Sequence, residues 1–296
     1  GAVQMTRDGG TTWTDVTSRL AGFPGGAYVS EVVPSRFNAG TAYVTVDDHR
    51  QNNYGAYVWV TTDFGATFRR IDGSLTGEVV HTLTEDTRNA DVLYVGTESG
   101  IFLTLDRGAS WRRLRANFPS VRVDEITIHP RDNAMLVASH GRAIWVLDHL
   151  EPIQEYASTQ SAAARLFSVP TALQWKAKDS RNDEFWGHQT FIGENPPTEA
   201  VISFHVRTPP QALLVRISSG ARVIREITVP AAKNKAGIQT VCWDQRVAPI
   251  VGAPAVGGGG GGGGGGQFGA QGGTRPPAVP GVPVALPEAG YKPLNP

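Results

Sequence analysis

Apolar and β-branched residues recur along the first half of the chain in short runs, separated by clusters of Pro, Asp, Asn, Gly and Arg. Such runs predict short strands joined by tight turns, because β-branched side chains suit strands and the intervening residues suit turns. Three kinds of strand follow one another in a fixed order. The predicted first strands are residues 29–33, 80–84 and 123–129, the second strands are 41–46, 92–96 and 135–139, and the third strands are 56–60, 101–105 and 143–147.

A motif of hydroxyl, Asp, Gly, hydroxyl and aromatic residues, the Asp box, occurs three times at identical offsets. Its copies are Thr6-x-Asp8-x-Gly10-x-Thr12-Trp13, Thr61-x-Asp63-x-Gly65-x-Thr67-Phe68 and Thr104-x-Asp106-x-Gly108-x-Ser110-Trp111. Successive aspartates are roughly 55 and 43 residues apart, which is the length of a four-stranded propeller blade. The repeat therefore predicts propeller blades over residues 1–150, with each box joining a third strand to a fourth.

The chemistry of the Asp box indicates a structural role. Its carboxylate can accept backbone N–H groups across a turn, and its glycine permits a positive φ. Its aromatic residue is expected to cover the base of the hairpin. We therefore expect these aspartates to stabilise turns rather than to act as catalytic acids.

The number of repeats predicts an incomplete ring. Residues 1–150 supply a little over three blades, whereas closed propellers have about four to eight. The chain begins at a predicted third strand, residues 3–5, and the last unit, residues 123–148, has no box. We expect the sequence to be the C-terminal part of a longer polypeptide.

The pattern changes after residue 150. Residues 151–190 lack a sustained periodicity and are interpreted as a connector. Alternating segments then predict a small antiparallel β-sandwich over residues 191–250, with strands at 200–206, 212–217, 222–229 and 239–243. Residues 251–296 are rich in Gly and Pro and predict a flexible segment, in which a late edge strand stays an alternative.

Composition excludes several classes of protein. The formal net charge is zero, so no global electrostatic field recruits nucleic acid. No segment reaches the about 18 consecutive apolar residues typical of a membrane-spanning helix. The one cysteine, Cys242, is expected to be a packed strand residue, and the basic run 112–115 alternates like a solvated strand.

Two segments of the last predicted blade resemble a known family. Ile-His-Pro-Arg-Asp-Asn at 128–133 and Ser-His-Gly-Arg-Ala-Ile-Trp-Val-Leu-Asp at 139–148 resemble the closing blade of bacterial sortilin-like, BNR-repeat proteins, which are often labelled glycosyl hydrolases. Segments between residues 200 and 246 are similar to the immunoglobulin-like module of that family, which resembles flagellar-hook capping proteins. The resemblance implies an all-β chain: the C-terminal blades of an Asp-box β-propeller followed by an immunoglobulin-like β-sandwich. It also implies a secreted, periplasmic or cell-surface bacterial protein.

The expected binding surface is formed by the loops that join second strands to third strands, because the Asp-box turns lie on the opposite face. The binding candidates in these loops are Asp47, His49, Arg50, Tyr54, His140 and Arg142. Polar groups of both signs on one face suit the recognition of a partner. The favoured hypothesis is an exported, non-catalytic recognition, scaffold or assembly module that binds a protein, peptide or glycan, also as a subunit of a larger complex.

An enzyme stays the alternative. Propeller glycoside hydrolases use two carboxylates about 5–9.5 Å apart, and either Asp47 or Asp48 together with Glu98 is the pair that the loops offer. A sialidase is disfavoured because the Arg-Ile-Pro signature is missing. Residues 47–49 and 181–184 carry metal-capable side chains without a recognised ligand spacing, so neither a metal nor a cofactor is predicted.

Overall fold

A computed structural model describes residues 1–115, 117–159, 161–173 and 199–247. The chain divides into two compact units, and the first contains Gly1–Ser168. The expected connector therefore begins within this unit. Its start is anchored there because Gln154 Nε2 donates to the Asp86 carboxylate at 2.9 Å and the Gln154 carbonyl accepts from Asn89 Nδ2 at 2.7 Å.

The first unit consists of antiparallel sheets that follow one another along the chain. A two-stranded sheet is followed by two four-stranded meanders and one three-stranded meander. The strands are β1 (Gln4–Met5) and β2 (Thr14–Asp15); β3 (Tyr28–Pro34), β4 (Ala42–Asp47), β5 (Val58–Thr61) and β6 (Arg69–Arg70); β7 (Val80–Glu85), β8 (Leu93–Thr97), β9 (Ile101–Thr104) and β10 (Arg112–Arg113); and β11 (Val123–His129), β12 (Ala134–Ser139) and β13 (Ile144–Leu147).

Short helical segments and one further strand complete the first unit. They are 3-10 turns at Thr17–Arg19 and His49–Gln51, the helix α1 (Glu151–Gln154), a 3-10 turn at Tyr156–Thr159, and β14 (Ala164–Leu166). Leu150 and Ile153, at the start of α1, pack into the core beside the last sheet. This packing holds α1 against the sheets.

The hydrophobic core lies between consecutive sheets. One cluster joins Val3 and Val16 of the first hairpin region to Val44 and Trp59 of the second sheet. Two further clusters repeat this arrangement between the second and third sheets and between the third and fourth sheets. Because each sheet buries one face against its successor, the sheets are stacked blades. The predicted all-β fold with propeller blades is confirmed.

Each first strand carries an irregularity at the same position. The register shifts between Val29 and Glu31 in β3, between Val80 and Thr82 in β7, and between Val123 and Glu125 in β11. The residues at these bulges are Ser30, His81 and Asp124. A bulge re-aims a side chain and commonly occurs next to functional sites.

The predicted strands agree with the structure to within about two residues at each end, which is the usual uncertainty of strand boundaries. Each of the three boxes lies between a third and a fourth strand, as predicted. The last described sheet has three strands and no box. In the basic run 112–115, Leu114 is buried whereas Arg112 and Arg115 are exposed, which fits a solvated strand.

The described part of the second unit is a small antiparallel β-sandwich. Its strands are β15 (Ala200–Val206), β16 (Leu213–Ser219), β17 (Arg222–Val229) and β18 (Gly237–Trp243), with a 3-10 turn at Ala231–Lys233. β15 pairs with β18, and β16 pairs with β17. Phe204, Ile227 and Val241 share one core between the two pairs. Cys242 is buried in β18, as expected; the immunoglobulin-like identity of the module stays a prediction.

Several expectations fall outside the described residues. They are the run 181–184, the middle and end of the connector, the first residues of the predicted sandwich and the Gly- and Pro-rich segment 251–296. Across the described ranges, no helix combines the length and apolar character needed to cross a bilayer.

Candidate functional site

The three Asp boxes share one hydrogen-bond pattern. In the second box, Asp63 Oδ1 accepts from Thr67 N at 2.9 Å and from Thr61 Oγ1 at 2.8 Å, and Asp63 Oδ2 accepts from Thr67 Oγ1 at 2.6 Å. Gly65 N donates to Thr61 Oγ1 at 2.9 Å. Equivalent bonds surround Asp8 and Asp106. The carboxylate therefore closes the turn, as its chemistry predicts.

These bonds keep the box aspartates ionised. Hydrogen bonds from Thr12 lower the pKa of Asp8 to about 2, and those from Thr67 lower the pKa of Asp63 to about 2. At Asp106, burial opposes ionisation, but hydrogen bonds from Ser110 and Thr104 outweigh it and lower the pKa. A carboxyl group with a depressed pKa holds no proton at neutral pH, so it is a poor general acid.

The box aromatics differ in what they cover. Trp13 is 58% exposed, and its Nε1 donates to the Gly10 carbonyl of its own hairpin at 3.0 Å. Trp111 is 6% exposed, and its Nε1 reaches the Ile71 carbonyl of the preceding blade at 2.5 Å. The expectation that the aromatic covers its own hairpin base thus fits Trp13 and not Trp111, because a preceding blade offers Trp111 an apolar surface.

Ionisable side chains meet at the opposite end of the sheets. His49 Nδ1 lies 2.5 Å from Asp47 Oδ1, and His81 Nδ1 lies 3.1 Å from Asp47 Oδ2. The other ring nitrogen of His81, Nε2, lies 2.9 Å from Glu98 Oε2. This chain of contacts joins the second sheet to the third. We call the residues Asp47, His49, His81, Glu98, Asp124 and His140 the rim.

Asp47 and His81 form the buried part of the rim. Burial of Asp47 opposes its ionisation, but hydrogen bonds from His49 and the charge of nearby His81 outweigh it, so its pKa is lowered. Both ring nitrogens of His81 face carboxylate oxygens, Nδ1 that of Asp47 and Nε2 that of Glu98. His49 lies edge-on to His81, with ring centroids 6.3 Å apart.

The exposed part of the rim is accessible to a ligand. The Glu98 side chain is 60% exposed, and that of His140 is 74% exposed. His140 Nδ1 lies 3.3 Å from Asp124 Oδ2, while Asp124 Oδ1 accepts from Arg122 Nε at 2.6 Å. The exposed part of the rim therefore offers the Glu98 carboxylate, which contacts His81, and the His140 ring, which contacts Asp124.

Asp48, the weak catalytic candidate, is engaged within its own loop. The Asp48 carboxylate accepts from Gln51 Nε2 and from Asn53 Nδ2, the latter at 2.8 Å. Asn53 Nδ2 also contacts Tyr57 Oη at 2.8 Å. Asp48 is buried, and it precedes the 3-10 turn that carries His49. Asp47, rather than Asp48, is connected to Glu98, through the imidazole ring of His81.

The structure places the remaining binding candidates in the expected loops. Arg50 and Tyr54 are exposed in the loop between β4 and β5. Arg142 is exposed beside His140 in the loop between β12 and β13, where Gly141 and Ala143 have positive φ. The His140 side chain faces Asp124.

The sequence reasoning missed His81 and Asp124. Both lie inside predicted first strands, where strict alternation assigns no loop role to a single polar residue. Their positions at the bulges bring them to the rim. The signal that could have found them is their equivalence: His81 and Asp124 occupy the same place in successive repeats.

A metal site is not apparent at the rim. Of the residues that the structure describes, no three His, Cys, Asp or Glu side chains are grouped so as to hold a metal ion. Two carboxylates bridged by one imidazole instead form a polar network whose members engage one another.

Comparison with known proteins agrees with the blade architecture. The family model described as Sortilin, neurotensin receptor 3, matches residues 56–169. No curated protein matches the chain. Among solved structures, the GH74 enzyme of Niastella koreensis is similar with a TM-score of 0.38 and 15% identity, over 50% of this chain and 24% of that chain.

The family match covers two Asp boxes and part of the rim. Its range contains Asp63, Asp106, His81, Glu98 and His140. The motif resemblance to sortilin-like proteins is thereby confirmed for the blades. The first unit consists of propeller-type blades, and over residues 56–169 it is similar to the sortilin family of Asp-box propellers.

Proposed function

We propose that the first unit is an exported, non-catalytic recognition module that binds a protein, peptide or glycan partner through the rim and its loops. It acts alone or as a subunit of a larger assembly. The observation that carries the proposal is the contact chain from Asp47 through His81 to Glu98, which spans two blades on the loop face. The sortilin-like match supports export and ligand binding.

The rim is preorganised for binding. Asp47 and His81 are buried and hold each other, so His49 and Glu98, which contact them, are positioned before a ligand binds. Glu98 offers a carboxylate, whereas His140 and Arg142 offer donors. A surface whose polar groups are fixed before binding loses less conformational entropy when a ligand arrives. Tyr54 adds an exposed aromatic surface suited to a peptide or a sugar ring.

The geometry weighs against the glycoside-hydrolase alternative. That chemistry needs room for a glycosidic bond and a water between two carboxylates about 5–9.5 Å apart. Between Asp47 and Glu98 the imidazole ring of His81 fills this space. Asp48 is held by Gln51 and Asn53. Neither aspartate is therefore free to act on a substrate together with Glu98.

The binding proposal is tested with a displayed peptide library and a glycan array as probes. We expect the full chain to bind specific members, and His140→Ala with Arg142→Ala to weaken that binding about tenfold or more, as for charged groups at the centre of an interface. His129→Ala with Arg131→Ala is the matched control. It removes the same residue types, two positions apart, near the other end of the β11–β13 sheet, and we expect unchanged affinity.

Three outcomes would overturn the proposal. One is that the chain binds neither probe set, and another is that both double variants lose affinity equally. The third is the release of reducing sugar from a polysaccharide panel, abolished by Glu98→Gln or Asp48→Asn. That result would assign the module to the hydrolases.

A further inference from the structure

Two positions of the rim recur in the second, third and fourth sheets. The position at the bulge of the first strand, which we call the bulge position, holds Ser30, His81 and Asp124. In each sheet the valine before the bulge pairs with a residue at the end of the second strand: Val29 with Val46, Val80 with Thr97 and Val123 with Ser139. The residue after that partner, which we call the end position, is Asp47, Glu98 or His140.

The end position of one blade faces the bulge position of the next blade. Between the second and third sheets, Asp47 Oδ2 lies 3.1 Å from His81 Nδ1. This contact forms where the second strand β4 packs against the first strand β7 of the following blade. A carboxylate and an imidazole therefore fill this junction.

The junction between the third and fourth sheets has the same construction. The second strand β8 packs against the first strand β11 of the following blade. The approach is close, because a Cβ on Gly96 would lie 2.6 Å from Val123 Cγ1. Gly96 lies two residues before Glu98, and Val123 directly precedes Asp124. Glu98 and Asp124, which we call the junction pair, thus hold the places that Asp47 and His81 hold one blade earlier.

The junction pair places two carboxylates where the preceding junction has one carboxylate and one imidazole. Glu98 Oε2 contacts His81 Nε2, whereas no residue within the described ranges donates a hydrogen bond to Glu98 Oε1. Asp124 accepts from Arg122 through one oxygen and faces His140 through the other, so its carboxylate is held in place. Two ionised carboxylates repel each other, and a cation between them is attracted by both.

We propose that the junction pair binds the basic side chain of a lysine or arginine in a peptide segment of the partner. This side chain takes the place beside Glu98 that His81 takes beside Asp47. The inference rests on the proposed recognition function and narrows its ligand to a peptide with an accessible cationic side chain. The long stem of lysine or arginine carries its charge to the partly exposed Asp124, whereas the amine of an amino sugar is attached directly to a ring.

The experiment selects binders from a displayed library of random peptides and measures synthetic versions of them by fluorescence anisotropy. We expect the selected peptides to share a lysine or arginine. Replacing that residue by acetyl-lysine or citrulline, which removes the charge, should weaken binding about tenfold or more, as for a hydrogen bond to a charged group.

The variants Glu98→Gln and Asp124→Asn test the two carboxylates. Each should weaken binding of the basic peptide about tenfold. Neither should weaken binding of the neutral peptide much further, because the two changes remove the same contact. Glu98→Asp keeps the charge and should retain the preference for the basic peptide. Circular dichroism confirms that each variant is folded.

Asp132→Asn is the matched control. Asp132 contacts Arg131 and His129 as Asp124 contacts Arg122 and His140, but it lies near the other end of the β11–β13 sheet. Its loss should leave the affinity for the basic peptide unchanged.

The inference and the proposed function fail in different ways. Binding to peptides without any requirement for a basic residue, or only to members of the glycan array, would overturn the inference and leave the recognition function in place. Unchanged affinity of both junction-pair variants for the basic peptide would do the same. If the chain binds neither peptides nor glycans, the recognition function fails and the inference fails with it.

Discussion

At the scale of single residues, two glycines with nearly the same backbone conformation stand in different surroundings. Gly9 and Gly108 have φ values of 70° and 83°. A Cβ on Gly9 would meet nothing within 4 Å, whereas one on Gly108 would lie 2.8 Å from Ile71 Cβ. Alanine substitutions at Gly9 and Gly108 therefore separate the free-energy cost of a side chain at positive φ from the cost of a steric clash.

We predict that Gly9→Ala lowers the free energy of unfolding by about 1–2 kcal/mol, the cost of placing a Cβ in the left-handed region. Gly108→Ala should cost about 1–3 kcal/mol more, because it also forces an extra methyl group between two blades. Denaturant unfolding followed by tryptophan fluorescence measures both. Equal losses would mean that the blades move apart at no cost.

The Asp boxes were predictable from sequence because their chemistry is local. The Asp63 carboxylate accepts hydrogen bonds from Thr61 and Thr67 of its own box, so the spacing of the motif is enough to predict the turn. The role of Trp111 was not predictable in the same way, because its partner Ile71 lies on another blade. The sequence of a motif predicts the contacts among its own residues, but it does not predict contacts with residues of another blade.

Among the elements, the first strands of neighbouring blades are linked by a buried hydrogen-bond pair. Glu31 Oε2 accepts from Thr82 Oγ1 at 2.8 Å and from Leu83 N at 2.6 Å. Glu125 occupies the equivalent place after the bulge of β11 and is exposed. The two glutamates share a register position; Glu31 contacts the next blade, whereas the described residues contain no blade that follows Glu125.

We predict that Glu31→Ala lowers the free energy of unfolding by about 1–3 kcal/mol, since it leaves a buried hydroxyl and a buried N–H without their acceptor. Glu125→Ala should change it by less than about 0.5 kcal/mol, as is usual at exposed sites. Urea unfolding of both variants provides the measurement. A loss at Glu125 as large as that at Glu31 would contradict this account of the contacts between blades.

The strands themselves followed from alternation, because a pleated strand with one face against a neighbouring blade needs period-two patterning. The sequence predicted only some of the residues that form the rim. Asp47, Glu98 and His140 lie at or just after the ends of second strands, where the sequence pattern predicts loops. His81 was hidden because a bulge, which no composition signals, turns it out of the alternation.

For the whole molecule, the depressed carboxyl pKa values predict sensitivity to acid. Asp8 and Asp63 titrate at about 2 in the folded chain, and the pKa values of Asp106 and Asp47 are also lowered. Groups whose folded pKa lies below the unfolded value stabilise the fold above the unfolded pKa, and that stability is lost as pH falls through the folded value. We therefore expect the free energy of unfolding to decrease as pH is lowered from about 5 to about 2.

Urea unfolding at a series of pH values checks this expectation. The double variant Asp8→Asn with Asp63→Asn removes two of the titrating groups and should show a shallower decrease over the same interval. An unchanged slope in that variant would mean that other groups dominate the acid response.

The succession of blades was predictable from the spacing of the boxes, whereas the exposure of Trp13, Ile144 and Val146 was not. Exposure depends on what lies beside a blade, and that is a property of the assembled sheets. The repeated sequence thus predicts the fold of each blade more fully than it predicts which faces of that blade are covered.

The bulge that recurs in β3, β7 and β11 takes one residue of each first strand out of the regular alternation of the strand. The same irregularity holds a serine, a histidine or an aspartate, as Ser30, His81 and Asp124 show, while the valine before it packs in the core in all three blades. Each repeat therefore contains one position at the rim end of the sheet whose chemistry differs while the packing of the preceding valine is kept. Under the proposed binding role, we expect that randomising these few side chains changes the ligand that the rim selects while the blades stay folded.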